Sequence, residues 1–289
     1  MLKTRKRKRG VVVLVALLLF VAVVVLLLWG NATPVISLYT VSSKRVPEGF
    51  DGFCIVQISD LHNAQFGDNN GRLLAIMQQQ EPDMIAITGD IIDCYDTDLD
   101  VAVSFAREAA KIAPCYYVTG NHEARLAGYG DFKRQLQEAG VTVLDNSSVE
   151  LEKDGDVITL TGVMDIAFLK ENISDDEDLV MHTALQELCR EEVQYRILLS
   201  HRPSQFEVYV AYELDLVLSG HMHGGQFRIP GLGGLYTPSD GFFPEYDAGL
   251  FQSGNTQMVV SRGLGNSIFP LRINNRPDVV VVRLERDLG

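Results

Sequence analysis

Five short segments of the chain combine aspartate, asparagine and histidine at spacings that could bind metal ions. They are Asp60-Leu61-His62, Gly89-Asp90-Ile91-Ile92-Asp93, Gly120-Asn121-His122-Glu123, Ser200-His201 and Gly220-His221-Met222-His223. Taken singly, the first three segments would more often be a solvated loop or a turn, and His201 a hydrogen-bonded histidine. The HxH pair is moderately suggestive of metal on its own. Together they hold five of the six histidines, with only His182 elsewhere. We interpret the set as one metal centre whose oxygen and imidazole ligands suit Mn, Fe or Zn rather than iron–sulfur or copper(I).

Each of these segments directly follows a short apolar run that is typical of a buried strand. The runs are residues 53–59, 83–88, 115–119, 196–199 and 214–218. In open α/β sheets, ligands bind beyond the carboxyl ends of the strands. We therefore expect the five segments to meet in one crevice.

The rest of the chain alternates strand-like and helix-like segments. Further strands are predicted at 141–144, 157–163, 258–261 and 279–284, and helices at 71–80, 99–112, 133–139 and 179–191. Strands separated by helices predict an α/β layered domain, which we place at residues 48–289.

An uninterrupted apolar segment precedes this domain. Residues 11–29 contain only Val, Leu, Ala, Phe and Trp, and a helix of this length spans about 28 Å, close to the thickness of a bilayer core. A buried core helix is the alternative, but a helix that is apolar all round suits lipid better. The segment is therefore predicted to cross a membrane.

The charges that flank the apolar segment predict its orientation. Six basic residues lie in the first nine positions, namely Lys3, Arg5, Lys6, Arg7, Lys8 and Arg9. The positive-inside rule places residues 1–10 in the cytoplasm and the domain outside, after a linker at 30–47. A cleaved signal peptide is the competing interpretation. Since Gly30-Asn31-Ala32 is a poor cleavage site and the apolar run exceeds a usual signal core, we favour an uncleaved anchor.

The charge balance limits the partners of the domain. Without the six N-terminal basic residues, 19 of the 25 basic residues remain against 38 acidic ones. Such a surface would repel phosphate backbones, so we expect no binding of polymeric nucleic acid. Cys54 and Cys115 lie in apolar runs and are expected to be buried free thiols, although four cysteines in an exported protein also permit disulfides.

The order of the motifs, DxH, GDxxD, GNHE, H and GHxH, resembles the signature of calcineurin-like metallophosphoesterases over about residues 50–285. Residues 223–226 (HGGQ) and 261–265 (SRGLG) are similar to a bacterial branch in which many members carry an N-terminal anchor or export signal. The resemblance implies a β-sandwich flanked by helices, with a dinuclear metal site at one edge.

The resemblance also assigns ligands to each metal ion. It implies one ion among Asp60, His62, Asp90 and His223, and a second among Asp90, Asn121, His201 and His221. Asp90 would bridge the two ions. Two cations a few Å apart can hold a hydroxide and a phosphoryl oxygen together for in-line attack.

Two further residues take catalytic roles by the same resemblance. The histidine of GNHE, here His122, would protonate the leaving oxygen without binding a metal. The last aspartate of GDxxD, here Asp93, would orient that histidine, as a carboxylate does in other base-plus-orienter pairs. A structural turn residue is the alternative for Asp93. Glu123 is either a support for the ligands or purely structural.

The segment at 226–246 is rich in glycine, proline and aromatic residues and directly follows the HxH ligands. It is either an ordered loop that packs on the sheet or a rim that shapes the substrate site or faces a membrane. Arg228, Arg262 and Arg272 are candidate phosphate contacts, with ordinary surface arginines as the alternative.

The predicted function is a metal-dependent phosphoester hydrolase at the outer face of the membrane, and a lipid-linked or envelope phosphoester is the favoured substrate. A small-nucleotide phosphodiesterase or pyrophosphatase is the alternative within the enzyme class. A non-enzymatic metal-binding platform is the alternative outside it, and the presence of every ligand and of His122 argues against it.

Overall fold

The computed structural model describes residues 2–172, 174–237, 239–266 and 269–289, with side chains from residue 10 onward. Within these residues the helices are α1 (Leu2–Ala32), α2 (Gly71–Gln78), α3 (Leu99–Ala109), α4 (Tyr129–Glu138), α5 (Ile166–Leu169), α6 (Glu177–Leu188) and α7 (Phe206–Ala211). The strands are β1 (Val35–Ser43), β2 (Cys54–Ile58), β3 (Met84–Thr88), β4 (Cys115–Val118), β5 (Val141–Val143), β6 (Ser147–Lys153), β7 (Asp156–Gly162), β8 (Arg196–Leu199), β9 (Leu216–Ser219), β10 (Arg228–Ile229), β11 (Gly233–Gly234), β12 (Tyr236–Thr237), β13 (Gly241–Phe242), β14 (Gly249–Ser253), β15 (Thr256–Val260) and β16 (Asp278–Arg286).

Most of the strands form two six-stranded sheets. The first has the order β1-β16-β2-β3-β4-β5 and the second β14-β15-β9-β8-β7-β6. Strands β2 to β5 run parallel in the first sheet, and β7, β8, β9 and β15 run parallel in the second. Since parallel strands end at the same edge, the segments that follow them are brought together.

Three apolar cores hold the layers together. The core between the sheets joins side chains such as Ile55 and Ala86 of the first sheet to Ile197 and Leu216 of the second. The outer face of the first sheet packs on α2, α3 and α4, and that of the second packs on α6 and α7. The structure therefore confirms the predicted α/β layers, with a β-sandwich flanked by helices.

One buried amide aligns the two sheets just before the candidate site. Gln57 is the polar residue of the otherwise apolar β2. Its Nε2 donates to the carbonyl of Ser219 at the end of β9 (2.8 Å) and to Oγ1 of Thr88 (3.1 Å). Because a buried amide needs such partners, the contact fixes the ends of β2 and β9, which lead into Asp60 and His221.

Helix α1 includes the apolar segment predicted to cross a membrane. Its stretch Gly10–Ala32 is long and apolar enough to do so. The large side chains are exposed, with 66 % of Phe20 and 55 % of Trp29 accessible. This exposure fits contact with lipid and differs from a core helix, which buries an apolar stripe.

Residues 30–47, for which we expected a linker, contain a strand of the first sheet. All nine residues of β1 pair in parallel with β16. Only Thr33 and Pro34 separate α1 from β1. Because the strand lies at the sheet edge, exposed residues alternate with residues that are partly buried or, at Val41, fully buried. This half-exposed pattern is similar to that of a linker.

Candidate metal centre

The structure brings the predicted metal ligands together at the carboxyl ends of the central strands. Among the residues that the structure describes, three groups have ligand atoms within 4.8 Å of one another. They are Asp60, His62 and His223; Asp90, His201 and His221; and His62, Asp93 and His122. The first two groups correspond to the two ligand sets implied by the sequence.

The first ligand group joins the end of β2 to the end of β9. Nε2 of His62 lies 3.2 Å from Nε2 of His223, which lies 3.4 Å from Oδ1 of Asp60. Oδ2 of Asp90 is 3.7 Å from Nε2 of His62. These atoms converge on one point.

The second ligand group shares Asp90 with the first. Oδ2 of Asp90 lies 3.3 Å from Nε2 of His201. The same His201 nitrogen lies 3.3 Å from Oδ1 of Asn121 and 3.2 Å from Nδ1 of His221. The Asp90 carboxylate therefore lies between the two groups and is close to both.

The backbone is left-handed at five of these ligands. The φ angles are 51° at Asp60, 46° at His62, 51° at Asp90, 68° at His221 and 47° at His223. Such conformations cost about 1–3 kcal/mol each in residues other than glycine, and they concentrate at functional sites. The surrounding fold holds these residues in strained turns that aim their side chains inward.

Glycines in the motifs permit the close approach of the loops. A side chain at Gly120 would collide with the Asp90 carboxylate, and one at Gly220 would collide with Ser59 and with the Asp60 carboxylate. The glycines of GNHE and GHxH are therefore explained by close packing beside the ligands.

Glu123 ties the second motif to the third. Its carboxylate accepts the backbone N–H groups of Asp90 (3.0 Å), Ile91 (2.9 Å), Ile92 (3.3 Å) and Gly120 (2.7 Å). Burial, and next the Asp90 carboxylate, raise the pKa of Glu123 to about 8, whereas the N–H groups favour its ionised form. Its contacts make Glu123 a support for the ligand loops.

His122 lies beside both ligand groups with its ring orientation fixed. The backbone N–H of Cys94 donates to Nδ1 at 3.0 Å, so the neutral ring carries its proton on Nε2. Nε2 lies 4.0 Å from Oδ2 of Asp90. Oδ1 of Asp93 is 3.6 Å from Nδ1, beyond hydrogen-bond distance, and it accepts the N–H of Tyr95 instead. Cys94, rather than Asp93, makes the hydrogen bond that holds the ring.

Burial and the neighbouring carboxylates shift the pKa values of the buried histidines in different directions. Burial lowers the pKa of His62 to about 4, and burial also lowers the pKa values of His221 and His223 well below their usual range. Burial opposes the charged form of His201 too, but the Asp90 carboxylate outweighs it and raises the pKa of His201 to about 10. Among the described residues, the buried Nε2 of His221 has no hydrogen-bond partner. Neutral imidazoles around carboxylates that demand a cation fit divalent metal ions.

A cavity of about 280 Å³ opens onto this centre. Its walls include Tyr95, Arg125, Arg202 and Ser239. Arg202 is held by Asp165 through two contacts, Nε to Oδ2 at 2.8 Å and Nη2 to Oδ1 at 3.2 Å. Arg125 donates from Nη1 to Oη of Tyr95 at 2.9 Å. Two guanidinium groups therefore face the space beside the ligands.

The arginines that the sequence suggested as phosphate contacts lie elsewhere. Arg228 pairs with Asp247 and Arg262 with Asp278, each at 3.0 Å. Neither lines the cavity, nor does Arg272. Arg272 is fully buried behind the metal ligands.

Sequence reasoning missed Arg125 and Arg202, although a signal was present. Arg202 directly follows His201, and Arg125 follows Glu123 by two positions. A basic residue next to a ligand shares the loop that carries the ligand. This adjacency could have marked Arg202 as a residue that lines the cavity.

The segment at 226–246 forms two small hairpins beside the centre. Strand β10 pairs with β11 and β12 with β13. Their apolar side chains are exposed, with 69 % of Leu232, 71 % of Phe242 and 56 % of Phe243 accessible. Ser239 of the same segment lines the cavity. The hairpins therefore present an exposed apolar surface, which we call the apolar rim, in the same chain segment as the cavity residue Ser239.

Comparison with known proteins agrees with this geometry. Residues 54–225 match the family described as calcineurin-like phosphoesterase. The chain is 31 % identical over 252 residues to the uncharacterized metallophosphoesterase YkuE of Bacillus subtilis, covering 86 % of this chain and 84 % of the relative. It is 28 % identical over 240 residues to the phosphodiesterase YaeI of Escherichia coli, covering 80 % and 82 %.

Two further comparisons extend the similarity. A transmembrane protein with a metallophosphoesterase domain from Bos taurus is 30 % identical over 268 residues, which cover 87 % of this chain and 57 % of the relative. The crystal structure of TT1561 from Thermus thermophilus superposes with a TM-score of 0.51 at 13 % identity, covering 74 % of this chain and 90 % of that one. At this identity the superposition supports the fold alone.

Proposed function

The chain belongs to the calcineurin-like phosphoesterase family and is a phosphoester hydrolase, and we propose that it acts at a membrane surface with two divalent metal ions. The observation that carries the proposal is the pair of ligand groups that share the Asp90 carboxylate. Mn, Fe and Zn suit the ligand chemistry.

In this proposal, Asp60, His62, Asp90 and His223 hold one ion, and Asp90, Asn121, His201 and His221 hold the other. The ions supply Lewis acidity, which favours ionisation of the attacking water and offsets the charge of the phosphate. The protein contributes a rigid frame, since the strained ligand loops are fixed by Glu123 and by close packing of glycines.

His122 is the proposed proton donor to the leaving oxygen. Its Nε2 carries the proton because Cys94 donates to Nδ1, and His122 lines the cavity. To act as an acid the ring must carry a proton on both nitrogens. Nδ1 then no longer accepts the Cys94 N–H, and the Asp93 carboxylate lies 3.6 Å from it. Geometry of this kind suits general acid catalysis.

Arg125 and Arg202 are the proposed contacts to the phosphate oxygens. Both line the cavity, and both are held by neighbours, Tyr95 and Asp165 respectively. Guanidinium groups bind phosphates in a fixed planar geometry. A held guanidinium loses little side-chain entropy when the substrate binds.

The proposed substrate is a lipid-linked or envelope phosphoester. The support is the membrane-length helix α1 together with the exposed apolar rim, whose chain segment contributes Ser239 to the cavity. We propose that α1 crosses the cell membrane once, with its N-terminus in the cytoplasm and the domain outside. A reporter fused after Gly289 should then be active only outside the cytoplasm, and a protease-protected C-terminus in spheroplasts would overturn this orientation.

A small-nucleotide phosphodiesterase or pyrophosphatase is the second candidate. The similarity to the phosphodiesterase YaeI of Escherichia coli favours a diester substrate. The acidic composition continues to argue against polymeric nucleic acid.

A substrate panel tests these proposals. The full chain in proteoliposomes is assayed with alkyl monoesters, diesters, pyrophosphate-linked nucleotides and phospholipid-like esters under Mn, Zn or Mg. We expect metal-dependent hydrolysis, abolished by chelation and restored by metal, with the highest kcat/KM for a lipid-linked ester. Faster turnover of soluble nucleotides would favour the second candidate. A folded, two-metal protein that hydrolyses none of these substrates would leave the metal-binding platform as the better interpretation.

A further inference from the structure

The end of the membrane helix is fastened to a loop of the domain. The backbone N–H of Arg272 donates to Oδ1 of Asn31 at 2.8 Å, and Nδ2 of Asn31 donates to the carbonyl of Arg272 at 2.9 Å. Arg276 donates from Nε and Nη2 to the carbonyl of Thr33. The last turn of α1 and residues 272–276 therefore form one rigid corner.

This corner encloses a cavity of about 370 Å³ with two unlike walls. One wall is apolar and belongs to the membrane helix, with Leu26, Leu27 and Trp29. The other wall is cationic, with Arg262 and Arg276 in front and Arg272 behind. A tryptophan at this position is typical of the boundary between hydrocarbon and water.

The cationic wall is only partly neutralised. Arg262 pairs with Asp278, and the buried Arg272 donates to main-chain carbonyl groups. The guanidinium of Arg276 lies over the ring of Trp29, 4.6 Å from its centroid. Within the part of the chain that the structure describes, Arg276 has no carboxylate partner. The cavity therefore presents more positive than negative charge.

We propose that this cavity binds the head group of an anionic phospholipid from the bilayer that α1 crosses. The phosphate binds the cationic wall at Arg276, and the acyl chains pack along the apolar side chains of Leu26 and Leu27. A basic pocket beside a membrane helix recognises such head groups. A soluble anion would gain nothing from contact with the apolar wall, whereas the acyl chains of a lipid would pack against it. The two walls together therefore favour a lipid. The inference rests on the proposed membrane anchoring.

Neighbouring surface supports this placement. Ile36 and Leu38 of β1, and Phe269 and Ile273 beside the cavity, are 41–62 % exposed. These side chains lie in the chain segments that adjoin the end of α1. Exposed apolar residues clustered at a membrane boundary indicate contact with the bilayer.

The lipid site would share its rear wall with the metal centre. Nη2 of Arg272 lies 3.2 Å from Nδ1 of His223, and Nδ2 of Asn275 donates to the carbonyl of His223 at 2.7 Å. Both Arg272 and Asn275 line the lipid cavity. A bound lipid would therefore fix the position of the catalytic centre relative to the membrane surface.

The test uses the fluorescence of Trp29, the single tryptophan of the chain. The full chain is reconstituted in phosphatidylcholine vesicles that contain a small fraction of either brominated phosphatidylglycerol or brominated phosphatidylcholine. We expect phosphatidylglycerol to associate with the site about fivefold more strongly, since one basic residue near an anionic lipid contributes about 1 kcal/mol. Arg276→Gln should remove most of this preference. Arg107→Gln, an exposed charge change on α3, should keep it.

The outcomes distinguish failure of the lipid site from failure of the proposed membrane anchoring by α1. No quenching by either lipid would show that Trp29 is outside the bilayer, and the anchoring proposal itself would fail. Equal quenching by both lipids, with anchoring intact, would overturn only the lipid site. Loss of the preference on addition of excess glycerol phosphate would identify a site for soluble anions instead. A preference for phosphatidylglycerol that survives Arg276→Gln would also overturn the proposed lipid site. The thermal stability of this variant in phosphatidylcholine vesicles shows whether the variant is folded.

Discussion

The Glu123→Gln variant tests how the ligand loops are held. In the wild-type protein, Oε2 accepts the N–H groups of Asp90 and Gly120, and Oε1 accepts those of the two residues after Asp90. The glutamine side chain has nearly the same size but presents an NH₂ group in place of one oxygen. Whichever way the amide turns, two backbone donors then face another donor.

The size of the effect follows from these contacts. A hydrogen bond to a charged group contributes about 1.5–3 kcal/mol. Two such bonds are lost, and one of them is long at 3.3 Å if Oε1 is the oxygen replaced. The free energy of unfolding should therefore fall by about 3 kcal/mol. For a domain of this size, that corresponds to a Tm lower by roughly 6–12 °C. Metal affinity should also fall, because the loop of Asp90 and the loop of Asn121 lose their common support.

The assay compares thermal unfolding and metal content of the full chain in detergent. It is run with saturating Mn²⁺ and with chelator, at a pH above the value of about 8 to which burial and Asp90 raise the pKa of Glu123. Glu138→Gln on the exposed end of α4 is the matched control and should unfold like the wild type. If Glu123→Gln melts within about 2 °C of the wild type and binds two ions, the carboxylate does not support the loops.

Three further predictions concern the proposed roles of single residues. His122→Ala should keep its metals and lose about 10² to 10⁴ in turnover of alkyl esters. It should lose less with nitrophenyl esters, whose leaving group departs without a proton, and Asp93→Asn should show a milder form of this pattern. Asp90→Asn should lose both metal ions by elemental analysis, whereas His62→Ala should weaken chiefly one. Arg125→Gln should raise KM more than it lowers kcat, since the guanidinium contacts the bound phosphate before and during reaction.

Each of these predictions has an outcome that contradicts it. Metal loss from His122→Ala would make the residue a ligand, and equal slowing of both ester types would indicate charge stabilisation instead of proton donation. One ion retained at full affinity in Asp90→Asn would exclude a bridging role. An unchanged KM in Arg125→Gln would place the phosphate elsewhere in the cavity. Lys111→Gln, which removes a positive charge from the exposed surface, is the control for the lost charge.

Strands with mostly buried residues could be predicted closely, including the edge strand β5, whereas edge strands that are half exposed could not. The prediction of a strand at 196–199 matches β8, and that at 115–119 differs from β4 by one residue. Both are continuous apolar runs because both faces are buried. Strands β6 and β14 at the edge of the second sheet alternate partly buried with exposed residues and were not predicted. The expected burial of Cys54 and Cys115 as free thiols is confirmed.

The candidate site also has a part that could be predicted from the sequence and a part that could not. The ligand segments could be predicted because each is a short local motif at the end of a strand, and parallel pairing brings such ends together. The hydrogen bond from Cys94 to His122 and the contact of Arg272 with His223 join residues 28 and 49 positions apart. Such contacts depend on how loops fold over one another, which no local pattern records.

The position of the anchor narrows the class of substrate. A flexible linker would let the domain reach soluble substrates far from the membrane, but only Thr33 and Pro34 separate α1 from a fully paired strand. The pairing of β1 with β16 is reinforced by Ser37, whose Oγ donates to Asp278, and Asp278 also binds Arg262 of the cationic cavity. Because β16 lies next to β2, which leads into the metal ligands, the catalytic centre is held at a fixed height above the proposed membrane surface. A rigid tether of this kind favours substrates that are themselves confined to the membrane. The exposed side chains of the apolar rim would then contact such substrates or the lipid around them.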